Sequence, residues 1–416
     1  MDAADRHYLA RKTPGPGIKD HTTDIDMKRM RAYRLGRVQA ELKKRGWGAA
    51  VLYDPINVRY ATGSSNMQVW TLHNATRYAF VPAEGRATLF EFHNCEFLAK
   101  DLETIEEVRP AISWIYFTAG DTLEKRAARW ADDLHELIAK HCGAEKRVAF
   151  DHIEPEGARL LEKKGVRIEN GQEVLERARC IKSADEIACM GIAITVCEVG
   201  MARMREALRP GITENELWSL LHQANIAMGG EWIETRLLAS GGRTNPWMQE
   251  CSDRVIRAGE LVAFDTDLIG PFGYCADISR TYFCGPGRPS HEQKRLYRLA
   301  YEQIQHNIDQ LRAGLSFREF SERSWVIPDE FVPNRYVSIA HGVGLCDEYP
   351  AIVAPDLLGK KSGYDGMIEA NMTLCIESYI GAAGGAEGVK LEEQVLITEA
   401  GCQRLSTFPY EDELLA

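Results

Sequence analysis

Leu261-Val-Ala-Phe-Asp-Thr-Asp-Leu-Ile269 runs into Gly270-Pro-Phe-Gly273 and then into Tyr274-Cys-Ala-Asp277. Three carboxylates stand inside an otherwise apolar segment. In an extended chain, side chains two apart share a face, so this reading projects Asp265 and Asp267 together. The glycine-proline turn predicts a hairpin that folds Tyr274 to Phe283 back antiparallel and brings Asp277 opposite the pair. Burying such acids as free anions is costly, and a bound cation removes the cost. The hairpin is therefore a candidate metal site.

Further ligands must come from elsewhere in the chain. After His306 the only histidine is His341, in Ala340-His-Gly-Val-Gly-Leu345, where flanking glycines let the backbone pack closely. Leu374-Cys-Ile-Glu-Ser-Tyr-Ile380 and Val389-Lys-Leu-Glu-Glu-Gln-Val-Leu-Ile397 read as two strands around a glycine-rich turn. Glu377 and Glu392 are symmetric about Gly384-Gly385, so an antiparallel register sets them side by side. Glu393 would then face the other way, although alternation alone leaves either glutamate open. Asp265, Asp267, Asp277, His341, Glu377 and Glu392 form a hard, oxygen-rich set that can bridge two ions. It suits Mn, Fe, Co or Zn and disfavours a structural zinc.

The remaining composition is that of a globular protein. At 416 residues with 45% hydrophobic content the chain can fill two or three cores. A formal net charge of -11 argues against nucleic-acid or anionic-membrane partners. No stretch reads as having the apolar length of a spanning helix. The start, Met1-Asp-Ala-Ala-Asp-Arg-His7, lacks a basic region followed by an apolar core, which predicts a cytoplasmic protein. The 11 cysteines include no Cys-x-x-Cys pair, so they read as reduced packing residues, Cys275 and Cys346 included.

Working outward, the first two dozen residues, with Thr13-Pro-Gly-Pro-Gly17, read as an irregular arm. Helix is expected from Met27 to Arg45 and Lys125 to His141, with strands at Ala49–Tyr53, Ala79–Pro82, Thr88–Phe92 and Val148–Asp151. This alternation predicts an α/β domain over residues 1–178. Ser183-Ala-Asp-Glu186 resembles a capping box opening a long helix through Met204, and another helix starts at Thr213-Glu-Asn-Glu216. Strands and glycine turns then dominate apart from a helix at Glu292–Leu311, giving a second domain over 179–416.

These segments resemble the superfamily of methionine aminopeptidase, prolidase and creatinase. The likeness rests on Phe264-Asp to Asp277-Ile-Ser-Arg-Thr281, His341-Gly-Val-Gly344, Ile376-Glu377, Leu391-Glu392 and the entry Arg179-Cys-Ile-Lys-Ser-Ala-Asp-Glu-Ile187. It implies an α+β chain: a pita-bread catalytic domain preceded by a smaller α/β creatinase/prolidase-like domain. The peptidases carry two further histidines at the scissile bond, and both are missing here. Leu238-Ala-Ser-Gly-Gly-Arg-Thr-Asn-Pro-Trp247 ends in tryptophan, and Cys346-Asp-Glu-Tyr-Pro350 replaces a His-Glu segment.

One branch shares these departures. The DddP-type dimethylsulfoniopropionate (DMSP) lyases resemble this chain at Tyr53-Asp-Pro-Ile-Asn-Val-Arg-Tyr-Ala-Thr62, Asn66-Met-Gln-Val-Trp70, Thr244-Asn-Pro-Trp247, Phe264-Asp-Thr-Asp-Leu-Ile-Gly270 and His341-Gly-Val-Gly-Leu-Cys-Asp-Glu348. The resemblance implies cleavage of DMSP to dimethyl sulfide and acrylate, two divalent ions with iron foremost, and a homodimer. Elimination from this small zwitterion needs a base, for which Asp347 is the candidate. A sulfonium has no hydrogen-bond donors, so aromatic faces must hold it, and Trp70, Tyr60, Trp247 and Tyr336 are the candidates. An Xaa-Pro dipeptidase and a non-catalytic metal-binding protein are the competing readings.

Overall fold

The computed structural model describes residues 25–359 and 362–416; the arm expected around Thr13 to Gly17 lies outside them. The chain divides into two compact units, one ending at Arg179 and the other running Cys180–Ala416.

In the first unit, helix Met27–Arg45 opens where the Asp26 carboxylate accepts from the Lys28 and Arg29 amides, and stops at Gly46, whose φ is 67°. A six-stranded sheet follows in the order Ile105–Pro110, Ala87–Glu91, Tyr78–Pro82, Ala49–Leu52, Arg147–Phe150 and Arg167–Asn170. The Ala49–Leu52 strand runs antiparallel to Tyr78–Pro82 and parallel to Arg147–Phe150, which makes the sheet mixed. Helix Leu123–His141 closes one face, burying Trp130, Leu134 and Ile138 with Val51, Phe80 and Phe90.

Where the central strands end, buried Asp151 accepts from the amides of Tyr53 (2.7 Å), Asp54 (3.1 Å) and His152 (2.7 Å) and from Asn57 Nδ2 (3.0 Å). Asp151→Ala would orphan these donors, and a loss of about 3 kcal/mol is expected. Thermal melts read it as an earlier unfolding step, and an unchanged melting curve would refute this role.

The second unit opens on helix Ala184–Ala207, with Ser183 and Glu186 capping each other reciprocally, and helix Glu214–Ala227 packs beside it. By length and composition Ala184–Ala207 is apolar enough to cross a membrane, contrary to expectation. Half of its most apolar window is buried, so much of that apolarity serves packing. Three sheets follow. Trp232–Ile233, Leu268–Ile269 and Cys275–Ala276 form one, with Leu268–Ile269 central; Leu238–Ser240, Leu261–Phe264 and Arg280–Phe283 form another, with Leu261–Phe264 central.

The third has five strands in the order Asp347–Val353, Ser338–Val343, Thr373–Ile380, Val389–Thr398 and Gly401–Arg404. Helix His291–Gln310 packs on it, and Leu374, Ile376 and Ile380 join Leu296 and Ile304 in the core. By alternation, Cys375, Glu377 and Tyr379 are left on the opposite face.

Candidate metal centre

The site is built where strand pairing is interrupted. Leu261–Phe264 pairs with Arg280–Phe283, and Leu268–Ile269 with Cys275–Ala276, so residues 265–267 and 277–279 lie between two ladders. Asp265 and Asp267 are therefore not consecutive same-face positions of one strand, as alternation had it. They reach one place because the link kinks, with Asp267 in the left-handed region at φ 35°, a conformation aspartate tolerates better than most residues. Carboxylate oxygens of Asp265, Asp267 and Asp277 come within 4.8 Å of one another.

The five-stranded sheet supplies the other wall. Glu377 pairs directly with Glu392, and Tyr379 with Lys390. Glu393 pairs with Ile376 on the other face, where it meets the buried Arg280 guanidinium at 2.7 Å. The glutamate pair left open by alternation is thus divided between two roles. Two more groups can converge on an ion: Asp277, His341, Cys375 and Glu392, and Asp265, Glu377 and Glu392.

His341 Nδ1 lies 3.1 Å from the Gly342 carbonyl and donates to it, which turns Nε2 into the cage. Nε2 is 3.3 Å from Glu377 Oε1 and 3.5 Å from both Asp277 Oδ2 and Glu392 Oε1. The glycines after His341 work differently from the expected packing around its ring. A Cβ on Gly342 would stand 2.3 Å from the Tyr349 carbonyl oxygen, so Gly342 lets the neighbouring strand approach. That strand begins with Asp347, half exposed, its Oδ1 3.8 Å from His341 Nδ1.

Burial, and then the charge of Glu392, drives Asp265 and Asp277 well above the usual carboxylate range; burial, and then Asp347, pushes Asp267 up to about 7. Glu392 is held low instead, since Lys390 and His341 together outweigh the effect of its burial. Asp277 Oδ1 and Glu392 Oε1 are buried without a hydrogen-bond donor. Buried carboxylate oxygens crowded beside an imidazole nitrogen fit a divalent cation, which would satisfy them together.

The family model for metallopeptidase family M24 matches residues 188–399, and the creatinase/prolidase N-terminal domain matches 34–181. Dimethylsulfoniopropionate lyase DddP of Roseovarius nubinhibens is 42% identical over 395 residues, covering 94% of this chain and 88% of the relative. The chain belongs to the DddP family. A second DddP, from Roseobacter denitrificans, is 38% identical over 95% of this chain and 90% of its own length. The fold is shared more widely: the Xaa-Pro dipeptidase structure from Bacillus anthracis superposes with a TM-score of 0.73 at 21% identity, covering 91% of this chain and 98% of that one. The DddP family thus keeps the α+β pita-bread fold of the peptidases.

The aromatic candidates separate. Trp247 is buried and stacks on Tyr379, with ring centroids 6.2 Å apart, and Tyr336 packs in the same cluster. The loop carrying Trp247 is tied down by Glu214, which accepts from the Ser240 and Ser252 amides at 2.9 and 3.0 Å and pairs with Arg243. Tyr379 adds a hydrogen bond to the Thr244 carbonyl at 2.8 Å. Tyr60 requires correction: it is 1% exposed, and its hydroxyl donates to the Ala178 carbonyl at 2.9 Å. A ring packed in this way has no free face for a ligand. Trp70 lies on the short helix Gln68–Thr71 of the first unit, edge-on to Phe92.

Sequence reasoning missed two side chains in the cage. One is Cys375; Cys275 and Cys346, the cysteines singled out earlier, are not in these groups. The other is Lys390, fully buried, with Nζ 2.6 Å from Glu377 Oε2, 3.0 Å from Asp265 Oδ2 and 3.1 Å from Glu392 Oε2. The same Nζ lies 5.5 Å from the Tyr336 ring centroid and 6.0 Å from that of Trp247. The signal was available: Lys390 is two residues before Glu392 on one strand, so the two share a face.

Burial opposes charge on His341, yet Asp347, Glu377 and Glu392 outweigh it and hold its pKa well above the ordinary histidine value. Metal entering at Nε2 must displace that proton, so apparent affinity is expected to rise with pH. Calorimetric titrations in buffers of different ionisation enthalpy should show proton release on binding. No release would exclude Nε2 as a ligand.

Proposed function

We propose that the chain cleaves DMSP to dimethyl sulfide and acrylate by metal-assisted β-elimination. The observation that carries this reading is one site holding a carboxylate-imidazole cage, an acid at its edge and two aromatic rings already facing an ammonium. Its family relatives, named as DMSP lyases, support it.

Asp265, Asp267, Asp277, His341, Glu377 and Glu392 would hold two divalent ions, with iron the foremost candidate. Bound there, the metal supplies Lewis-acid polarisation of the substrate carboxylate, which acidifies the neighbouring carbon. Asp347 is the base that takes that α-proton, and it sits on the open side of His341. Partial desolvation and Glu392 raise its pKa above the ordinary carboxylate value, with His341 opposing, which makes it a better proton acceptor than a solvated aspartate. As the proton leaves, a carbon-carbon double bond forms, and the carbon-sulfur bond breaks with its electron pair going to dimethyl sulfide.

Trp247 and Tyr336 supply the faces for the sulfonium, each contact contributing about 0.5–2 kcal/mol. Tyr336 also borders a cavity of about 370 Å³, whose walls include Trp325, Ile327, Tyr379 and Glu377. Glu322, Asp329 and Asp356 add further acids around a single arginine, Arg335, and rings with excess carboxylates suit a small onium ion. Exposed Met67, Val69 and Leu72 flank Trp70 and are the surface proposed for a homodimer. A cytoplasmic location completes the proposal.

The test is headspace dimethyl sulfide from iron-loaded protein given DMSP, beside a Gly-Pro control. Turnover of Gly-Pro without dimethyl sulfide would replace this reading with that of an Xaa-Pro dipeptidase.

A further inference from the structure

Lys390 is an unusual residue to find inside a metal cage. Its ammonium faces the same three carboxylates, those of Asp265, Glu377 and Glu392, that converge as one candidate ion group. It also donates to Ser279 Oγ at 2.6 Å, and Ser279 in turn lies 2.8 Å from Asp265 Oδ1 and 2.7 Å from Glu392 Oε2. The side chain is 0% exposed, so water screens none of this. The group containing His341 meets Nζ only through Glu392, which the two groups share. Asp277, His341, Cys375 and Glu392 gather on the other side of Glu392, with Asp277 Oδ1 left unpaired.

We propose that Lys390 is a built-in counter-cation: it holds Asp265, Glu377 and Glu392 together in the metal-free chain and competes with metal for them. The inference rests on the metal reading above and adds an asymmetry to it. A divalent ion entering beside Nζ shares its ligands with a fixed positive charge, and like charges at such separations repel strongly in a dry site. The His341 group meets that charge only through Glu392, so it is repelled less and fills first. The lysine stem is four flexible carbons, so Nζ can give way when the second ion enters. Lys390 thus sets the affinity of the second ion and keeps the cage assembled until it arrives.

The test is a calorimetric titration of manganese(II) into chelator-stripped wild type, Lys390→Met and Lys390→Gln, with melting curves for each before and after loading. Wild type should bind a first equivalent more tightly than a second. Lys390→Met should bind the second at least about tenfold more tightly, the scale of one removed like-charge contact. Its melting temperature should also depend more on metal than that of wild type, since the stripped cage has lost its cation. A lysine with a purely structural role would lower stability in both forms and gain no affinity, and that result overturns the proposal. If stripped Lys390→Met does not fold, Lys390→Gln carries the titration, and the as-purified Lys390→Met is challenged with a chelator. Manganese loss slower than from wild type supports the proposal, and equal or faster loss overturns it. Wild type binding no manganese would sink the metal reading as well, whereas wild type binding two equivalents with both variants unchanged sinks only the role of Lys390.

Discussion

Asp347→Asn is expected to keep its metal and lose turnover of DMSP by about 10²- to 10⁴-fold, the usual contribution of a positioned general base. The substitution keeps shape and polarity and removes only the ability to accept a proton. Asp347 is half exposed and outside the candidate ion groups, so neither folding nor metal content should change. The loss is expected in kcat, with little change in KM, because in the proposed mechanism other groups hold the substrate's carboxylate and sulfonium. Kinetics with metal analysis on the same preparation checks this. Full activity in Asp347→Asn would remove it as the base, and activity lost together with metal would make it a ligand.

The second large effect concerns Glu392, which belongs to two of the three candidate ion groups and borders the third through Asp265. Glu392→Ala is expected to lower metal content towards zero and activity by about 10³-fold or more, since Lewis-acid stabilisation supplies several kcal/mol. Treating wild type with a chelator should reproduce that loss, and adding metal back should restore wild type but not the variant. Glu393→Ala makes the contrast. It leaves Arg280 charged and buried without its carboxylate, so stability should fall by about 3 kcal/mol or more, while any folded fraction keeps its metal. If Glu392→Ala held two equivalents, the cage as described would be wrong.

Much of this architecture was legible in local chemistry. The Asp26 cap and Gly46 stop bound helix Met27–Arg45 on the residues expected, and the capping box read at Ser183 and the start read at Thr213 both open helices. The Glu377–Glu392 register followed from symmetry about a glycine turn, and the structure pairs those two residues. Other features needed three dimensions. The kink at Asp267 is a backbone conformation that alternation cannot express, and it replaced the simple strand inferred for 261–269. Tyr60 looked available because a motif contained it, yet burial is set by tertiary packing. Lys390 was overlooked because a lysine among candidate metal ligands contradicts the usual search for ligands, although the periodicity that found Glu392 places it too.

One strand, Val389–Thr398, presents Lys390 and Glu392 to one face and Glu393 to the other, where Arg280 holds it. The Gly381–Gly388 turn that leads into it therefore carries a parity rule. Insertions that move the strand by an even number of positions keep carboxylates and ammonium on their proper side. A slip of a single position would send Glu393 into the cage, strand Arg280 and turn Glu392 towards the core, so one miscounted residue inverts the centre without changing its composition. Loop grafts and library designs in this hairpin should vary its length in steps of two.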